Sequence, residues 1–350
     1  MGETATGTVE YEGVEVASSC GDVASEWALL DSHAAIVDSK WRRFFTATGD
    51  ERREYLHGQT SADVASLGEG DGCAAAVLTA QGRPQALVAL YELGETIWIA
   101  TTASHSAAAR TALTRHLVAD DCDFGEEIPA RCFSIAGPGT HALLAAAGAA
   151  DQFRGRAWAA AAARIAGHEV LLFSRDDLRV PWIDVLICDS AGNAGDAGAV
   201  LSTIEAAGAR RCGVSAVEIV RIESGCARFA VDVDESRIAV EARLQWAIHF
   251  AKGCYVGQEV VERAVSRGRI NHELSLVSVA AEVAHGDRVH GGGERDVVTS
   301  FAASPRLGPI ALAYLPVAMA SPGSSVTFGD AGIAGTVLPW PRERTLAGRG

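Results

Sequence analysis

The chain has 350 residues, 48% hydrophobic and 21% charged, with 30 Lys and Arg against 44 Asp and Glu and a formal charge of −14. That length implies two or three globular domains of roughly 150 residues, and so acidic a surface repels nucleic-acid backbones and anionic lipid heads while leaving room for a local basic cleft that takes a small anion. No apolar run approaches the ~18–20 residues needed to span a bilayer, the first residues lack the pattern of a secretory signal, and eight dispersed cysteines without C-x-x-C or zinc spacing fit a reducing cytoplasm, most of them as small core hydrophobes.

Residues 1–30 read as an irregular lead-in. Ala34 to Thr48 is apolar and β-favouring and ends at Gly49-Asp50. Asp50 then caps a short helix with Glu51, Arg52, Arg53 and Glu54 in its first turns and Gly58 as its stop. Cys73 to Thr79 and Gln85 to Tyr91 predict two strands around the turn Ala80–Pro84, and Thr96 to Thr101 a third. Ser104 to Val118 has the apolar spacing of a helix. The pattern restarts with a strand from Arg131 to Ala136, a turn at Gly137-Pro138-Gly139 and a helix from Thr140 to Ala147. Val170 to Ser174 and Ile183 to Cys188 are further strands, and a helix from Asp196 to Ala207 closes at Gly208.

Two such rounds predict an α+β fold, with two antiparallel-sheet subdomains over 31–270, the second beginning near residue 130. From Leu274 helix signals vanish. Short β-like runs (Leu274 to Val279, Ile310 to Tyr314, Ser325 to Phe328, Gly335 to Leu338) alternate with Gly, Pro and Asp turns, the pattern of a small β-barrel domain over 271–350.

The segment richest in chemistry is Lys252-Gly253-Cys254-Tyr255-Val256-Gly257-Gln258-Glu259. A helix from about Gln258 to Val265 places Cys254 just upstream of a helix N-terminus and beside Lys252, and both neighbours favour a thiolate. The flanking glycines allow another molecule to approach the backbone closely. The alternative is one more buried thiol in a glycine turn. Arg267-Gly268-Arg269 with Asn271-His272 could form a small anion site or a solvated basic loop, and Trp41 and Trp182 either stack on a flat ring or fill the core.

KGCYVGQE is similar, position for position, to the K-G-C-[FY]-x-G-Q-E signature of the YgfZ family, a branch of the glycine-cleavage T-protein superfamily. Leu56-His57-Gly58-Gln59-Thr60-Ser61-Ala62-Asp63-Val64 resembles that family's L-Q-G-Q-x-T-A-D-V. Gly213-Val214-Ser215 with Arg221-Ile222-Glu223-Ser224-Gly225 resembles the superfamily's G-x-x-A-R-x-x-L-R-L-E-A-G. Ordered matches extend over roughly residues 35–340 and imply a T-protein-like fold with three subdomains around a central cleft. T-proteins are aminomethyltransferases that use tetrahydrofolate, with a catalytic aspartate in G-G-x-x-D-D-L-x-V-Y. The matching stretch here is Gly82 to Tyr91, with Ala86 and Leu87 in the aspartate positions. Neither side chain can accept a proton or pair with a cationic amine, so aminomethyl transfer is not expected.

The resemblance nominates Asp184 to hold a pterin, Arg221 and Glu223 to line the same cleft, and Gln258 and Glu259 as further cofactor contacts, with Cys254 and Lys252 as the reactive pair. A structural ion pair is the alternative for Arg221 and Glu223. Val217 stands where the superfamily has an arginine, removing one cationic contact. What the family implies is a folate-binding accessory protein that supports iron–sulfur proteins, tRNA-thiolating enzymes among them. Tetrahydrofolate or a derivative is the implied cofactor, and iron–sulfur client or carrier proteins are the implied partners. A tetrahydrofolate-dependent transferase and a ligand-free interaction protein are the alternatives.

Overall fold

The computed structural model describes residues 7–149, 153, 156–188, 194–268 and 270–341. They divide into two compact units, one of Met1–Leu56, Asp63–Ala74 and Val88–Val220, the other of His57–Ala62, Ala75–Leu87 and Arg221–Gly350. The fold is α+β, and nearly every strand pairing is antiparallel.

A six-stranded sheet in the first unit runs in the order Ala159–Ile165, His168–Arg175, Trp182–Cys188, Ala130–Ala136, Ala35–Val37, Arg210–Cys212. Its last pair is parallel. Alternation along Trp182–Cys188 sorts side chains between two layers. Ile183, Val185 and Ile187 join Leu143, Leu144, Val200 and Ile204 of the helices Thr140–Ala146 and Ala194–Ala206. Leu186, on the opposite face, joins Phe173 and Cys132 against Phe44, Tyr91 and Ala100 of a second sheet. That sheet runs Gly72–Leu78, Pro84–Leu93, Thr96–Thr102, Arg42–Thr48, Asp123–Phe124, and the division between the units falls within its first two strands.

Two expectations are corrected, and one stretch left unassigned from the sequence is a strand. The lead-in is ordered where described: Thr8–Tyr11 and Val14–Ala17 form a hairpin and Val23–Ser32 a helix. Glu12 and Gly13, both at positive φ (50° and 81°), make the two-residue turn, although Glu-Gly lacks the usual Asn-Gly or Asp-Gly signal. Asp22 caps the helix by accepting from the Ser25 amide at 2.9 Å. The Ala-rich stretch Ala159–Ile165 is an edge strand despite its poor β propensity, because small side chains such as Ala160 fit between the two sheets. The helix Arg52–Gln59 passes through Gly58.

In the second unit a five-stranded antiparallel sheet runs Val298–Ser304, Gly308–Pro316, His272–Val279, Ile333–Val337, Ser325–Phe328. Its core holds Val277, Ala311, Leu315 and Phe328. Single bridges at Arg288↔Val297 and Val289↔Phe328 connect to its two edges. Within the same unit, Ser61 ties two segments together: its amide donates to Ala76 O at 3.0 Å, and its Oγ donates to Ala247 O at 2.5 Å and accepts from the Ala76 amide at 2.8 Å.

Phe173 has no exposed surface, and its ring centroid lies 5.0 Å from both Phe44 and Tyr91. Phe173→Ala is expected to cost ~3–5 kcal/mol, the usual price of a large aromatic cavity. Urea unfolding followed by far-UV circular dichroism measures it.

Candidate functional site

Cys254 is exposed, in a loop leading to the helix Gln258–Arg267. Gly257 is the residue before that helix, at φ +86°, and a Cβ there would sit 2.5 Å from Thr79 O. No other residue fits at that approach. The Val256 amide donates to Gly58 O at 3.3 Å, which ties the loop to the 57–62 segment.

Lys252, nominated as the partner of the thiol, is engaged by backbone carbonyls. Its side chain is buried, and its ammonium donates to the carbonyls of His57, Thr60 (2.7 Å) and Ala62 (2.8 Å). Three donors meet three acceptors, and the Tyr255 ring lies 4.9 Å from the same nitrogen. Burial, with the charge of Glu262 second, pushes the Tyr255 phenol up to about 12, so it stays protonated at neutral pH. Lys252 is therefore a clasp that shapes the loop carrying Cys254. The sequence motif placed His57 without giving it a role. Its imidazole lies against the loop, Nε2 being 3.7 Å from where a Cβ on Gly253 would stand. The signal available for it was the replacement of the family's glutamine by an ionisable ring.

Asp184 has no exposed surface. Its Oδ1 accepts from Ser134 Oγ at 2.6 Å and Trp182 Nε1 at 2.9 Å, and its Oδ2 from Arg42 Nε at 2.8 Å. Ser39 Oγ, 2.6 Å from Ser134 Oγ, extends the network. Arg42 Nη2 is buried without a hydrogen-bond partner among the described residues. Trp182 is thus committed to the carboxylate, and Trp41, also buried, packs edge-on against Tyr11 at 4.8 Å. Neither is free to stack on a flat ring.

Arg221 and Glu223 are both buried. Arg221 donates to Asp232 Oδ2 at 2.6 Å, Cys226 O at 2.7 Å and Ser300 Oγ at 2.8 Å. Glu223 accepts from Ser304 Oγ at 2.5 Å. Gln258 donates to Glu262 at 2.6 Å, and Glu259 pairs with Arg263 one turn along the helix. Of these five residues, the three buried ones are engaged by internal partners, and Gln258 and Glu259 each pair one turn along their own helix. Ala86 is fully buried and Leu87 half-buried on Pro84–Leu93, so neither aspartate position offers a carboxylate. In the proposed anion loop, Arg269 lies outside the described residues, and His272 Nδ1 sits 2.6 Å from the buried Asp296 Oδ1.

Residues 8–252 match the model of the GCVT N-terminal domain. The chain belongs to this family. It is 26% identical over 346 residues to a chloroplastic protein of Arabidopsis thaliana provisionally named a transferase, covering 96% of this chain and 77% of that one. It is 25% identical over 344 residues to the aminomethyltransferase of Rubrobacter xylanophilus, covering 96% and 90%. The crystal structure of the glycine cleavage system aminomethyltransferase T from Bartonella henselae superposes with a TM-score of 0.84 at 18% identity, covering 96% of this chain and 94% of that one. The T-protein-like fold follows from that match. Among the described residues, no helix is long and apolar enough to cross a membrane, and no group of three His, Cys, Asp or Glu is placed to hold a metal ion.

Lys252→Met leaves three buried carbonyls without their donor and is expected to lower stability by ~2–4 kcal/mol. Chemical denaturation reads that loss. A Lys252 acting on the thiol alone would leave stability unchanged and slow only the alkylation of Cys254. Asp184→Ala strands the Arg42 guanidinium in the interior and is expected to cost ~3–5 kcal/mol, with partial recovery in Asp184→Ala/Arg42→Met. A double-mutant cycle in urea measures the coupling.

Proposed function

We propose that this protein is an accessory factor of the YgfZ type, supporting the assembly or maintenance of iron–sulfur proteins, tRNA-thiolating enzymes included, through Cys254, with a folate as its small-molecule ligand and the cytoplasm as its setting. The observation that carries this reading is the presentation of Cys254. An exposed thiol stands in a loop whose Lys252 is bound by three carbonyls and whose Gly257 tolerates no side chain. So much fixed backbone beneath one solvent-facing sulfur suits a group that meets a partner protein or its iron–sulfur cargo. The folate part of the proposal rests on family membership, and no step is assigned to it.

The competing reading is tetrahydrofolate-dependent aminomethyl transfer. It is favoured by the near full-length similarity to the Rubrobacter xylanophilus aminomethyltransferase. Ala86 and Leu87 weigh against it, since a developing cationic amine would meet a methyl and an isobutyl group where a carboxylate is needed.

Three assays bear on these readings. Cys254→Ser and Cys254→Ala are expected to fold like wild type, being exposed, and to fail to restore iron–sulfur enzyme activity in a bacterial strain lacking its own YgfZ. Full restoration by Cys254→Ala would remove the thiol from the mechanism. Calorimetric titration of wild type with tetrahydrofolate is expected to show saturable binding, and incubation with an aminomethyl donor to yield no methylenetetrahydrofolate. Turnover of the donor would establish the transferase instead.

A further inference from the structure

The first unit contains a pocket of about 760 Å³, bordered by the hairpin strand Val14–Ala17, the strands Ala35–Val37 and Arg210–Cys212, and the helix Ala194–Ala206. The volume falls in the range of roughly 300–1,000 Å³ typical of pockets that enclose a small organic molecule. None of the residues nominated above lines it. Ile187 lines it, whereas Asp184, three positions earlier on the same strand, points to the opposite face of the sheet. Cys254 belongs to the other unit.

The wall is chemically uneven. Its sheet and helix sides are apolar, with Ile36, Phe133, Ile187 and Leu201. Three cysteines, Cys20, Cys188 and Cys212, also line it. Desolvation pushes the Cys212 thiol well up, with the nearby Glu26 adding to the effect, and raises Cys188 as well. These two sulfurs are therefore present as S–H at neutral pH, a soft and nearly apolar surface. One end differs. Asp38 is shared by two cations, with Lys40 Nζ 3.1 Å from Oδ2 and Arg131 Nη2 3.0 Å from Oδ1. One carboxylate balances one of them, which leaves a positive charge over at that end. The other lining cation, Arg211, is held by Glu205 at 2.7 Å, and Glu15 is the remaining lining acid.

We propose that this pocket binds a small organic monocarboxylate with an extended apolar body. The carboxylate sits on Lys40 and Arg131, where it completes the charge balance of Asp38, and the body packs against Ile36, Phe133 and Leu201. The ligand is read by charge at one end and by area along the rest, the division of labour usual for a largely apolar pocket with few polar groups. The inference stands independently of the role given to Cys254.

The test uses the full chain with decanoate and naphthalene-2-carboxylate as aliphatic and aromatic probes, and decan-1-ol as the uncharged control. Calorimetry is expected to show saturable binding of at least one acid and weaker binding of the alcohol. In parallel, iodoacetamide labelling read by mass spectrometry uses two exposed thiols of the same molecule. The bound acid is expected to slow alkylation of Cys188 in the pocket and leave Cys254 unchanged, which needs no variant and so no assumption about folding. Leu201→Trp, which fills the pocket, is expected to abolish both effects, and Arg131→Met to weaken acid binding about tenfold without changing the alcohol's. Absence of saturable binding by both acids, equal affinity for decan-1-ol, or protection of Cys254 to the same extent as Cys188 would each overturn the proposal.

Discussion

A charge taken out of water must find its partners inside the chain, and that constraint organises both units of this protein. The cost of an unpaired buried ion is several kcal/mol even after relaxation, so each one dictates the geometry around it. In the first unit Asp184 gathers Arg42, Ser134 and Trp182 from three strands. In the second unit Asp232 gathers Arg221, Thr299 and Ser300, and it also accepts the Arg228 amide. Lys252 reverses the sign and is met by three carbonyls. Around these points the apolar layers have little freedom to slide.

The same constraint separates architecture from chemistry within the family motifs. Lys252, Arg221, Glu223 and Asp184 all carry charges that would suit a ligand, and all four are consumed by internal partners. What remains accessible in KGCYVGQE is the thiol of Cys254 and the outer face of the following helix. A motif of eight residues thus has a small reactive part resting on a larger supporting one. Gly257 is the clearest supporting residue, since its left-handed backbone and its 2.5 Å approach to Thr79 O leave no volume for a side chain.

Most strands were legible from apolar, β-favouring runs and their bounding turns, and the helix from Gln258 from the glycine that precedes it. The elements missed share a physical cause: their signals lie outside their own sequence. Ala159–Ile165 is a strand because two sheets approach closely over it, and alanine alone does not announce that. The Thr8–Ala17 hairpin depends on burial of Tyr11 and Val16 more than on its Glu-Gly turn. Ala35–Val37 lies in a stretch legible as β-favouring, but it pairs with a strand about a hundred residues later and with another near residue 210, long-range pairings that no local pattern encodes. For the site, the sequence placed Lys252 next to Cys254 along the chain. Only the fold could reveal that the ammonium turns toward the 57–62 backbone.

The two altered positions on Pro84–Leu93 differ in what they would tolerate, and this bears on how the chain relates to its transferase relatives. Ala86 is fully buried. An aspartate there would lose its hydration and need hydrogen-bond donors from its surroundings, a cost of several kcal/mol unless those were supplied. Leu87 is half-buried, so a carboxylate could reach water from that position at far smaller cost. The obstacle to transferase chemistry is therefore unequal across the pair. Position 87 lacks the functional group, whereas position 86 also lies in an environment suited to its absence. A core that has closed around alanine is difficult to reopen one residue at a time, because each added polar atom is unsatisfied until its partners arrive.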